Sequence, residues 1–169
     1  LQTGGTVRIV GPASSDDSDV VIGANASATG RYVLAGGTLD LSAGDDLLLG
    51  YGELELAGTG WTALVDDDFE VQQASSTLKI TFSAAGIGQI AVDDDINIAS
   101  GILSISNPPA LPAGVYCIAT SLNQSAVIGT FAAVNWYGNR TGTVSYANNA
   151  ITLTMPSLAD GDVFGNNQL

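Results

Sequence analysis

The chain has 169 residues, of which 46% are hydrophobic and only 12% are charged, so it can bury the core of one domain and is not an acidic disordered tail. Its 17 acidic residues outnumber its 4 basic residues, and the resulting net charge of −13 disfavours nucleic acid and anionic membranes as partners. The sequence contains no histidine, which excludes Ser-His-Asp and Cys-His catalysis and every zinc site that uses histidine.

Short alternating segments dominate the chain, and no long stretch carries helical periodicity free of Gly, Pro or β-branched residues. A two-strand unit recurs along the sequence. Its first strand is an aspartate followed by an apolar-x-apolar pattern, at residues 19–22, 46–49, 68–71 and 95–98. Its second strand also alternates, at residues 38–41, 53–56, 77–80 and 102–105, with a further copy at 6–9.

The four first strands begin 27, 22 and 27 residues apart, a period that suits one coil of a β-solenoid. The sequence therefore predicts an all-β fold, a short parallel β-solenoid resembling a β-helix. A β-sandwich or jelly roll is the alternative, because alternation does not distinguish parallel from antiparallel pairing. Coil stacking also predicts one outward column that contains Arg8, Asp40, Glu55, Lys79 and Ser104.

The apolar positions of both strands are predicted to form one core, because alternation places them on the same faces. These positions are Leu39, Leu41, Leu47, Leu49, Leu54, Leu56, Phe69, Val71, Leu78, Ile80, Ile96, Ile98, Leu103 and Ile105.

The pair Pro108-Pro109 predicts a boundary, since proline interrupts a central strand. We expect a repeat-containing solenoid at 1–107, a C-terminal β cap at 108–156 and a tail at 157–169, all within one structural domain. Within the cap, residues 144–146 and 151–153 are predicted to form a β-hairpin, because Asn148-Asn149 tolerates the left-handed conformation of a tight turn.

Glycine-punctuated segments at 36–41 (GGTLDL) and 44–50 (GDDLLLG) resemble autotransporter-associated β-strand repeats. The closing run, from 111–116 through 129–131 to 142–154, is similar to the end module of those exported proteins. The resemblance extends over about residues 35–155. It implies an exported β-solenoid passenger with a role in surface display or a matrix, and it brings no catalytic residues.

Aspartates cluster immediately before each first strand, at Asp16, Asp17 and Asp19, at Asp45 and Asp46, at 66–68 and at 93–95. Stacked strands would stack these carboxylates, and rows of like charge are costly unless a cation or solvent screens them. Calcium takes such hard oxygen ligands. The predicted metal ligands are Asp45, Asp46, Asp67, Asp68, Asp94 and Asp95. The alternative is that these aspartates are turn residues whose side chains accept hydrogen bonds from nearby backbone N–H groups.

An enzyme would have to rely on carboxylates, and Glu53, Glu55 and Glu70 are interpreted as solvated β-surface rather than as a catalytic pair. A sugar-stacking platform is a second hypothesis, with Trp61, Trp136 and Tyr137 as its residues. Otherwise these aromatic residues seal the ends of the core. The single cysteine, Cys117, is a buried hydrophobe, an intermolecular bridge or a free thiol.

Scarce Lys and Arg, a single cysteine and abundant small polar residues are typical of exported β-rich proteins. The sequence therefore predicts a non-enzymatic structural protein located outside the cell or at its surface, a subunit of a surface layer, filament or matrix. An adhesive or carbohydrate-binding module is the alternative. The expected partners are further copies of the chain, joined by strand addition at 6–9 and 157–169, and a glycan, without nucleic acid and without membrane insertion.

Overall fold

The computed structural model of the protein describes residues 1–8, 19–43, 46–138 and 140–157. Within these ranges the regular structure is entirely β-strand. The strands are β1 (Gln2–Arg8), β2 (Val20–Ile22), β3 (Arg31–Leu41), β4 (Leu47–Leu49), β5 (Glu53–Ala57), β6 (Trp61–Val65), β7 (Phe69–Val71), β8 (Thr77–Thr81), β9 (Ile90–Val92), β10 (Ile96–Ile98), β11 (Ile102–Asn107), β12 (Gly114–Ser121), β13 (Ile128–Gly129), β14 (Ala133–Gly138), β15 (Thr143–Ser145) and β16 (Ala150–Met155). No helix in the described part of the chain is long and apolar enough to span a membrane.

The strands wind into a short parallel β-solenoid of about 4 turns, which confirms the predicted fold class. Each coil has three faces. The first face stacks β2, β4, β7, β10 and β13, and the second stacks the start of β3 with β5, β8, β11 and β14. The third face stacks β1, the end of β3, β6, β9 and β12. All of these pairings are parallel, as the solenoid prediction requires and the sandwich alternative does not.

The register of the strands on the first face matches the predicted repeat. Val20, Leu47, Phe69 and Ile96 occupy equivalent positions in successive coils. All fourteen residues of the predicted core are buried in one cluster. Alternation is the cause, since every second side chain of a strand points inward.

The second-strand alignment is wrong for residues 38–41 and 6–9. Residues 38–41 and the described residues 6–8 lie on the third face, where Arg8 neighbours Asp40. Glu55, Lys79 and Ser104 form a separate column on the second face. The physical reason is that β3 contributes to two faces and bends at the Gly36-Gly37 pair. Gly37 has a φ of +84°, and a Cβ atom there would lie 2.2 Å from the carbonyl oxygen of Gly5.

Parallel coils continue beyond Pro108-Pro109, so the solenoid extends past the predicted boundary at residue 107. β12 pairs with β9, β13 with β10, and β14 with β11, all in parallel. The prolines lie in the corner between β11 and β12, where no strand pairing is required of them.

The antiparallel cap consists of β15 and β16, and β16 also pairs antiparallel with β12. The predicted hairpin is confirmed: Val144 pairs with Leu153, and Asn148 has a φ of 58° in the turn. Buried Arg140 links the cap to the last coils, because its Nη1 donates a hydrogen bond to the Pro156 carbonyl at 3.0 Å and its Nη2 donates one to the Leu111 carbonyl.

Some predicted residues lie outside the described ranges, so the structure does not test them. They are Ile9, Asp16, Asp17, Asp45 and the tail beyond residue 157.

Candidate functional site

Three aspartates form a column at the corner that precedes the first face. Asp46 Oδ1 accepts a hydrogen bond from the backbone N–H of Asp68, and Asp68 Oδ1 accepts one from that of Asp95, each at 2.9 Å. The carboxylates of Asp46 and Asp68 therefore each bind the backbone of the next coil. The hydrogen bonds of the turn interpretation exist, but they join neighbouring coils instead of closing a turn within one coil.

Burial and mutual repulsion make the ionised carboxylates of this column destabilising for the folded state. Burial raises the pKa of Asp46 and of Asp68; the backbone N–H bonds oppose that rise, and neighbouring carboxylates add to it. A raised pKa means that the folded state holds the proton more tightly than the unfolded state does. The contribution of Asp46 and Asp68 to the free energy of unfolding is therefore greatest below the ordinary aspartate pKa. It falls as the pH rises through their raised pKa values, because both groups then ionise.

Asp46, Asp67 and Asp68 form a carboxylate group that could hold a cation, since one oxygen atom of each lies within 4.8 Å of the others. Such oxygen ligands suit calcium, although calcium takes 6–8 of them and this group supplies only part of that number. Of the other predicted ligands, Asp95 contacts the group through its backbone N–H and Asp94 N–H donates to the Asp67 carbonyl at 3.2 Å. Asp45 lies outside the described residues.

Two substitutions at Asp68 separate the hydrogen-bonding role from the calcium role. Asp68→Asn keeps the acceptor for the Asp95 N–H and removes a charge, so in chelator its melting temperature should equal or exceed that of the wild type. Asp68→Ala leaves that N–H without its acceptor and should cost about 1–3 kcal/mol.

Millimolar Ca²⁺ is expected to raise the melting temperature of the wild type, because a ligand bound only by the folded state stabilises it. The same addition should leave the melting temperature of Asp68→Asn unchanged. Thermal unfolding in Ca²⁺ and in chelator measures both effects. Equal responses of the two proteins would contradict the calcium assignment and leave the inter-coil hydrogen bonds as the sole role of the column.

Ion pairs occupy the outward side of the second face. Arg31 Nε lies 2.6 Å from Glu53 Oε1, and the other end of the Arg31 guanidinium pairs with Glu55. Lys79 Nζ lies 3.2 Å from Glu55 Oε1. Burial alone would raise the pKa of Glu55, but the Thr81 hydroxyl and the Lys79 ammonium lower it below its ordinary value. Glu53 and Glu55 thus point outward, as predicted. Glu55, however, is only 8% exposed beneath these ion pairs, so the prediction of a solvated side chain is wrong for it.

Glu70, the third acid considered for catalysis, lies on a different face. It occupies the middle of β7 and accepts a hydrogen bond from Gln72 Nε2 at 2.8 Å. The structure therefore does not bring the three glutamates together.

The three aromatic candidates also do not form one platform. Trp61 begins β6 and is 4% exposed, with no hydrogen-bond partner for its buried Nε1. Trp136 is half-buried against the core, whereas its neighbour Tyr137 points outward and is 58% exposed. Of the three, only Tyr137 presents an exposed ring.

Cys117 is partly buried. Its Sγ accepts a hydrogen bond from Gln89 Nε2 at 3.3 Å, and burial raises the pKa of the thiol. A raised pKa disfavours thiolate chemistry at this position.

Both ends of the solenoid core open into clefts. At the N-terminal end, a cavity of about 310 Å³ is lined mainly by apolar side chains, among them Val20, Val21 and Tyr32. At the C-terminal end, a cavity of about 430 Å³ lies between the last coil, which contributes Phe131 and Trp136, and the cap, which contributes Val144 and Tyr146.

Comparison of the chain with protein-family models, with curated proteins and with solved structures finds no match.

Proposed function

We propose that the protein is a non-enzymatic, extracellular structural protein, a subunit of a surface layer, filament or matrix whose copies join end to end by β-strand addition. The observation that carries the proposal is that, at each end of the solenoid, strand edges that no described residue pairs lie beside an open cleft, and the N-terminal cleft is apolar. Unpaired strand edges are sites at which another chain can add a strand. The extracellular location is supported by the low content of Lys and Arg and by the single cysteine.

At the N-terminal end, β2 is the outermost described strand of the first face. Val20 N–H donates to the Asp46 carbonyl at 2.9 Å, and the Ile22 carbonyl accepts from Gly50 N–H at 3.1 Å. Because the residues of a parallel strand alternate in the direction of their backbone groups, Val21 directs its N–H and C=O away from β4. The Val21 side chain is also 45% exposed.

At the C-terminal end, β13 and β14 are the outermost described strands of the first and second faces. Ile128 of β13 is 51% exposed. A contact between this end and the N-terminal end of another copy would use two different surfaces, so it would propagate along the coil axis instead of closing a symmetric dimer. Calcium held by Asp46, Asp67 and Asp68 is proposed to screen the carboxylate column within each copy.

Replacing Val21 by proline tests the edge directly. Proline removes the outward N–H while leaving the bonds of Val20 and Ile22 to the next coil, and edge strands tolerate it at such positions. We expect Val21→Pro to abolish polymer formation, measured by sedimentation velocity. Val21→Thr retains the N–H and should still polymerise. Polymers of Val21→Pro equal to those of the wild type would overturn strand addition at β2.

An adhesive or carbohydrate-binding role is the second candidate function. The exposed ring of Tyr137 is the observation that favours it.

A further inference from the structure

A shallow groove of about 210 Å³ crosses the outward side of the second face and is lined by Glu53, Lys79, Ser104, Ser106 and Tyr137. These residues come from β5, β8, β11 and β14, which are successive strands of the face. Three intervals between neighbouring strands give the groove a length of about 14 Å. The groove is separate from the aspartate column and from the strand edges invoked for assembly.

The ring of Tyr137 forms one end of the groove. Tyr137 continues the outward column of Thr81 and Ser106, whose small side chains leave the ring 58% exposed. Outward aromatic rings on a strand normally gain by packing on large neighbours. Here an apolar ring face remains available to a flat partner.

Hydroxyl groups line the floor of the groove. Among the described residues, the hydroxyls of Ser104, Ser106 and Tyr137 have no hydrogen-bond partner. Each of these groups can both donate and accept a hydrogen bond. The floor therefore offers unused hydrogen-bonding capacity of the kind that sugar hydroxyls match.

Charged groups at the far end are already held in position. Lys79 Nζ lies 3.2 Å from Glu55, and Glu53 Oε1 lies 2.6 Å from Arg31 Nε. Because one base and one acid line the groove, its local charge is balanced, and the net charge of −13 on the whole chain repels polyanions. These charges favour an uncharged ligand that carries both donors and acceptors.

We infer that the groove binds a neutral oligosaccharide or polysaccharide. One sugar ring stacks its C–H face on Tyr137, and hydroxyls of that ring and of the following sugar bond to Ser104 and Ser106. Lys79 and Glu53 bond further hydroxyls toward the other end. This binding site rests on the second candidate function, carbohydrate binding, and is separate from end-to-end assembly, so either property can be lost without the other.

Binding to immobilised neutral polysaccharides tests the inference, with hydroxyethylcellulose, barley β-glucan, arabinoxylan and galactomannan as probes and alginate as the anionic comparator. The wild type should bind at least one neutral probe and not alginate. Tyr137→Ala should raise the half-saturating concentration at least about fivefold, because it removes the stacking surface. Tyr137→Phe retains the ring and removes one of the three floor hydroxyls, so its half-saturating concentration should rise less than that of Tyr137→Ala.

Val115→Ala is the matched control, since Val115 is 67% exposed on β12 of the third face, away from the groove. This variant should bind like the wild type, and melting temperatures should show that all variants are folded. Failure of the wild type to bind any neutral probe, preference for alginate, or wild-type binding by folded Tyr137→Ala would each overturn the inference. Unchanged binding by Val21→Pro would support it and show that the groove functions without polymer formation.

Discussion

Replacing Leu54 with alanine is expected to lower the free energy of unfolding by about 2–5 kcal/mol. Leu54 is fully buried in β5, and its register partners in the adjoining coils are Tyr32 and Leu78. A cavity at this position removes contacts on both sides along the coil axis, since each coil buries its apolar face only against its neighbours. Urea unfolding of the wild type and the variant measures the loss.

Leu64→Ala is the control for Leu54→Ala, because it deletes the same atoms from an outward position of β6 that is 36% exposed. Because the position is partly exposed, Leu64→Ala should lower the free energy of unfolding by no more than about 1 kcal/mol. Equal losses in the two variants would contradict the assignment of inward and outward positions.

Gly23→Ala is expected to cost about 2–5 kcal/mol, from about 1–2 kcal/mol for an L-residue in the left-handed region and about 1–3 kcal/mol for overpacking. Gly23 has a φ of +79°, and an added Cβ would lie 2.4 Å from the carbonyl carbon of Tyr51 in the next coil. Tyr51 N–H also donates to the Gly23 carbonyl at 2.7 Å, so the two coils cannot separate without breaking that bond.

Gly58→Ala isolates the conformational part of this cost. Gly58 has a similar φ of +68°, but the nearest atom to an added Cβ is the Ser83 Cβ at 3.8 Å. Gly58→Ala should therefore lower the free energy of unfolding only by the backbone strain, about 1–2 kcal/mol. If chemical denaturation gave the same loss for both variants, close stacking of the coil corners would not be the reason for glycine at position 23.

The first face could be predicted from sequence because its strands repeat a strict pattern after an aspartate. The third face could not, since β6, β9 and β12 share no such pattern and follow connections of unequal length. Alternation identifies a strand but does not identify its face. The segment Thr38 to Leu41 therefore aligned with β5, although Arg31 to Leu34, which lies 22 residues before β5, is the true partner of Glu53 to Leu56. The apolar Val33 at an outward position interrupts the alternation of that partner segment.

The candidate sites, like the faces, could be predicted from the sequence only in part. Equivalence of Asp46, Asp68 and Asp95 followed from the repeat, but the bond from a carboxylate to the next coil depends on side-chain orientation and could not be predicted. The aromatic residues show a different error. Trp136 and Tyr137 are adjacent on one strand, so a period of two residues already places them on opposite sides of the sheet. The groove beside Tyr137 unites four coils, and its members become neighbours only once the register is known.

Fibre diffraction from aligned assemblies of the purified protein tests end-to-end joining most directly. Strands in the solenoid run across the coil axis and are spaced about 4.7–4.9 Å apart along it. Copies joined end to end should therefore give the reflection at about 4.8 Å on the meridian, parallel to the filament axis. The same reflection on the equator would show that copies associate side by side, and a protein that stays monomeric at all concentrations would contradict assembly altogether.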